Sequence, residues 1–208
     1  MKLYRIAGIS VILIFLTGSL AAQNSWIVKK FKEGIKISTR QSNRSKFDDI
    51  MVEMDMPGNI YQVATILLDV NKYNEWAYST KRSLLIKKIS ATKLIYYSEF
   101  SAPWPVTNRD LYAEMELYTD TSFHLLKVNS VGSSNYQPAK KDLIRIPYSK
   151  GVWYVTTVSD HQIHLKYVLE MDPGGSVPAW ILNLFSTKGP WESFKNLKNK
   201  MILLNPGV

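Results

Sequence analysis

Apolar and polar positions alternate through the middle of the chain, and near its end the period changes. Residues 106–118 show the alternation most clearly. Arg109, Leu111, Ala113, Met115 and Leu117 fall on one face of a strand, and Asp110, Tyr112, Glu114 and Glu116 on the other. Residues 84–89 and 94–100 flank Ser90-Ala91-Thr92 as a hairpin, and residues 123–130, 143–147, 152–158 and 163–171 continue the series. Strands in succession with no helix between them predict an antiparallel meander. Upstream, segments 26–32 and 35–40 meet at a Glu33-Gly34 turn, and a strand over 47–56 is stopped by Pro57-Gly58-Asn59. Asn59 is placed to cap a helix whose Ile60, Val63, Ala64, Leu67 and Leu68 recur at helical spacing. A short helix or turn follows over 70–76.

The switch comes at Asp172-Pro173-Gly174-Gly175, which breaks the last strand. Ser176 is expected to cap a helix with Pro178 in its first turn. Val177, Trp180, Ile181, Leu184 and Phe185 make an apolar stripe. Trp191, Phe194, Leu197 and Met201 extend it past Gly189-Pro190, where a kink is expected. Lys188, Glu192, Lys195 and Lys198 occupy mainly the remaining surface. A long antiparallel sheet followed by one amphipathic helix predicts an α+β fold in which the twisted sheet curls around the helix and buries its stripe. Room left between the two is where a ligand would sit.

Composition bounds this picture without changing it. The 208 residues are 46% hydrophobic, 21% charged and 12% aromatic, with 12 Tyr and 6 Trp, which suits one β-rich domain with a sizeable core. The N-terminus reads as an export signal: Lys2 and Arg5, an uncharged run over 6–16, then small residues to Ala22, after which cleavage is expected. The run is short for a membrane span, and an uncleaved anchor is the alternative. The expected organisation is a signal peptide over 1–22, one domain over 23–204 and a tail over 205–208, with the product periplasmic or secreted. The chain has no cysteine, so it carries neither disulfide nor lipobox cysteine. Net charge is +9; without Lys2 and Arg5 the balance is 24 basic against 17 acidic, or +7. That surplus favours an anionic membrane surface. Nucleic acid is not expected as a partner, because an exported protein meets little of it and the lysines are scattered.

Pro103-Trp104-Pro105-Val106-Thr107-Asn108-Arg109-Asp110 resembles the proline-containing loop and Arg-Asp strand start of the START (steroidogenic acute regulatory protein-related lipid transfer) family. The stretch from Asp172 to Asn183 is similar to that family's approach to its last helix, and Trp26, Gly34-Ile35-Lys36-Ile37 and Thr39-Arg40 match its opening strands. The resemblance runs over 26–200. It implies a helix-grip (START/Bet v 1-like) fold and a tunnel for one hydrophobic molecule: a sterol-like lipid, a fatty acid or a phospholipid. It also implies a gate formed by the 101–107 loop and the last helix, transient membrane contact, a monomer, and no metal or redox cofactor. Some animal members carry a buried acid and an arginine in the tunnel; six residues beyond Arg109, where such an arginine would fall, this chain has Met115, so no polar head-group contact carries over from that position.

The ligand-binding residues expected on these grounds are Trp104, Arg109, Met115, Tyr167, Val177, Trp180, Ile181, Leu184 and Phe185. Arg109 and Asp110, adjacent on a strand, point to opposite faces; for Arg109 the alternatives are a polar contact inside the tunnel and a structural ion pair that fixes the preceding loop, since an arginine facing an apolar tunnel is costly unless paired. Trp104 is read as an exposed membrane-touching tip, a gate plug or a packed anchor of its loop. His124, His161 and His164 lack metal-ligand spacing. A cyclase- or hydrolase-like enzyme using the same cavity is the alternative function, with Glu99, Arg145, Tyr167 and Glu170 as its only candidate groups and no catalytic residue assigned.

Overall fold

The chain's computed structural model describes residues 25–120, 122 and 124–204. The export signal expected over 1–22 and the tail over 205–208 lie outside them. Strands β1 (Ile27–Lys32) and β2 (Ile35–Arg40) form a hairpin whose turn residues Glu33 and Gly34 both take positive φ. After β3 (Asp49–Pro57), helix α1 (Ile60–Leu68) begins at Asn59. The Gln62 N–H donates to the Asn59 side chain at 3.1 Å, and the Asn59 N–H donates to the Gln62 side chain at 3.0 Å, which satisfies two amides that a helix start would otherwise leave bare. A 3₁₀ turn over Val70–Glu75 packs against β4 (Thr80–Lys88). Then come β5 (Lys93–Phe100), β6 (Arg109–Thr119), β7 (Leu125–Gly132), β8 (Ile144–Arg145), β9 (Tyr148–Ser159) and β10 (Gln162–Asp172).

The sheet runs in the order β1-β2-β3-β10-β9-β7-β6-β5-β4 and is antiparallel along that path. The meander from β4 to β10 holds, and β10 then returns to pair with β3 over Gln162–Leu169. Residues 143–147 were expected to form a further antiparallel strand. They contribute only two paired residues, parallel to the start of β6.

Packing divides the concave face along the strands. Towards one end Val52, Leu126, Val128, Val155, Ile163 and Leu165 are fully buried under Ile60, Val63 and Leu67 of α1 and under Leu197 and Met201 of the last helix. Each such side chain stabilises the fold by about 1.5–3 kcal/mol. The other end, carried by β5, β6, β9 and β10, is not filled.

The convex face departs from simple alternation. Asp110 and Tyr112, on the outward face of β6, are buried because the segment 133–143 folds over them. Arg145 donates to both carboxylate oxygens of Asp110, at 2.7 and 3.0 Å, and to the carbonyls of Ser134 and Gln137. Tyr112 donates to the Gln137 side chain at 2.7 Å, and Lys140 to Tyr97 at 2.8 Å.

The terminal helical region begins later than expected. α2 (Ala179–Asn183) starts after Pro178, and Ser176 makes no cap. A π-helical turn, Leu184–Lys188, joins it to α3 (Gly189–Leu203). The expected kink at Gly189-Pro190 takes this form for a steric reason. Pro190 has no N–H for the Ser186 carbonyl, and its ring would press on that carbonyl in a regular α-helix. The widened turn, with the Gly189 N–H bonded to Leu184 O, makes the space. Among the described residues no helix is long and apolar enough to cross a membrane.

Candidate functional site

The unfilled end of the sheet encloses a cavity of about 270 Å³ between β5, β6, β9 and β10, the 3₁₀ segment, and the terminal helices. Strand alternation supplies the wall. Tyr96, Ser98 and Phe100 point in from β5, Arg109, Leu111 and Met115 from β6, Gly151 and Trp153 from β9, and Tyr167, Leu169 and Met171 from β10. Ile181, Leu182, Phe185 and Phe194 close it from the helical side.

One wall is a chain of aromatic rings. Tyr96 meets Tyr73 edge-on at 5.6 Å, Tyr73 meets Trp76 at 5.2 Å, Trp76 meets Trp153 at 6.3 Å, and Trp153 lies 4.4 Å from Tyr167 and 5.3 Å from Phe194. These spacings are those of favourable ring pairs, so the wall is rigid and oily. Its few polar ends are mostly spent on the protein: Tyr73 donates to Leu67 O at 2.6 Å and Tyr96 shares a hydrogen bond with Ser130 at 2.9 Å. Burial pushes the phenols of Tyr73, Tyr96 and Tyr167 upward, so all three stay neutral. Trp76 Nε1 and Thr80 Oγ1 are buried without a hydrogen-bond partner among the described residues.

Of the residues expected from the sequence, Arg109, Met115, Tyr167, Val177, Ile181 and Phe185 come together in this wall. Trp104, Trp180 and Leu184 are not part of it. Trp104 is 89% exposed on its loop, the first of the three placements considered for it, and Trp180 is 54% exposed. Leu182 stands where Leu184 was expected. Between Ala179 and Phe185 only Asn183 is polar, so periodicity cannot choose a face there, and the late helix start turns Leu182 inward. Tyr73, Trp76, Tyr96, Trp153 and Phe194 were not among the expected site residues. For Tyr96 and Trp153 the signal was present: both fall on the inward phase of strands read correctly. The 3₁₀ segment holding Tyr73 and Trp76 has no period to read.

The ion pair expected as one alternative for Arg109 does not form among the described residues, and Asp110, on the opposite face as expected, is taken by Arg145. Arg109, 7% exposed, donates through its guanidinium to Thr107 O in the 101–107 loop and to Gly174 O at 3.3 Å. It ties the loop to the bend that leads into α2. Gly174 and Gly175 both hold left-handed backbone, φ +67° and +65°, and a Cβ on Gly174 would lie 3.0 Å from Pro147 Cδ. Gly174→Ala is therefore expected to cost about 1–2 kcal/mol from the backbone alone, read as a thermal midpoint lowered by several degrees. An unchanged midpoint would mean the bend is not held.

Of the groups considered for catalysis, Tyr167 alone reaches the cavity. Glu99 faces outward beside Lys81 at 3.4 Å, Glu170 accepts from Tyr148 at 3.0 Å, and Arg145 is bound to Asp110. Among the described residues no group of His, Cys, Asp and Glu is arranged to hold a metal ion.

The START domain family model matches residues 15–203. The chain belongs to the START domain family. An uncharacterized protein of Pseudomonas aeruginosa is 26% identical over 189 residues, covering 89% of this chain and 91% of that protein. START domain-containing protein 10 of Homo sapiens is 22% identical over 118 residues, where the match spans 57% of this chain and 40% of the human protein. Among solved structures, a STAR-related lipid transfer protein from Xanthomonas axonopodis superposes with a TM-score of 0.77 at 28% identity, covering 85% of this chain and 98% of that one. Human StAR-related lipid transfer protein 5 shares the fold, with a TM-score of 0.74 at 15% identity over 86% of this chain and 88% of that one. The START architecture is thus the helix-grip fold: a curved sheet around a C-terminal helix, here enclosing the cavity described above.

Proposed function

We propose that the protein binds one hydrophobic lipid molecule in this cavity and exchanges it through an opening between the 101–107 loop and residues 173–185. The observation that carries the reading is the wall itself: aromatic and aliphatic side chains from four strands and two helices surround space the core does not fill. Membership of the START family and the likeness to the Xanthomonas axonopodis lipid transfer protein support it. Each methylene moved from water into the cavity contributes about 0.8 kcal/mol, so an alkyl chain of ~15 methylenes gives a gross ~12 kcal/mol. Association and ordering consume much of that, and micromolar binding remains.

Exchange requires one of the tied segments to move. The contacts of Arg109 with Thr107 and Gly174 hold the two sides together, and the π turn is a weak point in the helix. Trp104 and Trp180 stand exposed on these same segments, and indole rings suit a membrane interface. A transient membrane contact there would admit lipid directly. In this proposal the segment over 1–22 exports the chain, and the protein acts outside the cytoplasm as a carrier or sensor. Binding is favoured over the cyclase-like alternative because, among the described residues, no carboxylate or histidine lines the cavity.

Mass spectrometry of organic extracts from the purified protein tests the proposal. A co-purifying lipid near one per chain is the expected result. No retained lipid, together with no binding across sterols, fatty acids and phospholipids, would overturn it.

A further inference from the structure

The cavity wall carries one charged side chain among the described residues, Arg109, and nothing anionic faces it. Buried arginines are ordinarily matched by a carboxylate. Arg145 in this same protein is, with two bonds to Asp110. Among the described residues Arg109 lies within ion-pair distance of no carboxylate, and its five N–H donors are met only by the carbonyls of Thr107 and Gly174, neutral groups that leave the charge uncompensated. Burial accordingly lowers its pKa, though an arginine stays protonated at neutral pH.

One further unspent polar group of the wall lies in the same row. Thr80 pairs across the sheet with Phe100, and Phe100 with Arg109, so the three side chains share one row of the concave face. The Thr80 backbone is about two strand spacings, ~10 Å, from that of Arg109, and Thr80 Oγ1 has no partner among the described residues. From this row towards Met115, Trp153 and Tyr167 the wall is apolar and aromatic. The cavity therefore has a cationic end and an oily end.

We infer that the ligand is an anionic amphiphile: a carboxylate or phosphate accepts from Arg109, and its hydrocarbon chain lies against the Trp153–Tyr167–Phe194 wall. This rests on the lipid-binding reading and narrows it to a class. A charge-assisted bond in a dry site is stronger than a neutral one, and a carboxylate matches the guanidinium fork.

The test compares ligands of one chain length on the wild-type protein by displacement of a fluorescent fatty-acid probe. Oleate and oleoyl lysophosphatidate separate the carboxylate from the phosphate. Oleyl alcohol and methyl oleate lack the charge, and acetate and inorganic phosphate lack the chain. At least one of the two anionic amphiphiles is expected to bind about tenfold or more tightly than the alcohol and the ester, with acetate and phosphate ineffective at the same concentrations. Arg109→Gln retains two N–H donors for the loop carbonyls and is expected to reduce that preference to about twofold. If the variant does not fold, the wild-type comparison decides alone. Equal binding of anion, alcohol and ester would overturn the anionic class while leaving the lipid-binding reading intact. Failure of all four long-chain compounds would overturn both.

Discussion

Asp110→Ala is expected to lower stability by about 3–5 kcal/mol, the range for breaking a buried ion pair from one side. Asp110 is 0% exposed and accepts two hydrogen bonds from Arg145, whose remaining bonds reach the carbonyls of Ser134 and Gln137. Hydrogen bonding to Asp110 raises the Arg145 pKa; that contribution goes with the carboxylate, but an arginine guanidinium stays protonated at neutral pH without it. It is then buried with only carbonyls for company. The segment 133–143 must either hold that charge or peel off the sheet, which would expose the tilted ring pair of Tyr97 and Tyr112. Urea denaturation reads the effect as a fall in midpoint, and a changed slope would report peeling. Replacing both partners, Asp110→Leu with Arg145→Met, should recover most of the loss, because no buried charge is stranded. An exposed pair provides the contrast: Lys93→Ala, which removes the contact with Glu114 at 2.7 Å, should cost well under 1 kcal/mol. A drop below 1 kcal/mol for Asp110→Ala would show that water reaches this pair freely.

This cluster also marks where the sequence stops being legible. Strand positions were readable because a half-buried strand must alternate, and β2, β5, β6, β9 and β10 fell within a few residues of expectation. Alternation identifies two faces but not what covers each. The polar phase of β6 carries Asp110 and Tyr112, which are buried by a segment, 133–143, whose own mostly polar sequence has no period. The pairing of β10 with β3 joins segments more than a hundred residues apart, and no local pattern encodes that. The α1 cap was legible because Asn59 stands directly before the run of apolar residues at helical spacing. The Ser176 cap was not realised, because Val177-Pro178 keeps the backbone extended until residue 179. The site was half legible for the same reasons. Inward phases on strands were correct for Arg109, Met115 and Tyr167, whereas the almost continuously apolar run at 179–185 gave no direction, which is how Leu184 and Trp180 were chosen over Leu182.

That last difference gives the largest functional effect. Leu182→Trp is expected to weaken lipid binding by about 100-fold or more, while Leu184→Trp changes it less than twofold. Leu182 borders the cavity and Leu184 does not. An indole at position 182 enters space that is already open, so it meets little packed core, and overpacking of about 1–3 kcal/mol sets the upper limit on its cost to the fold. The space it takes is the ligand's. With about 270 Å³ available, displacing even a few methylenes forfeits about 0.8 kcal/mol each, and a hundredfold loss corresponds to only ~2.7 kcal/mol. At position 184 the same ring adds bulk on a half-buried flank of the π turn, outside the wall. Titration of both variants with the fluorescent probe used for the wild-type protein, beside thermal melts, separates the outcomes. Wild-type affinity in a folded Leu182→Trp variant would place the lipid elsewhere. Strong loss in Leu184→Trp with Leu182→Trp unaffected would mean that the helix is turned by two positions from the geometry described, and with it every contact assigned to Ile181 and Phe185.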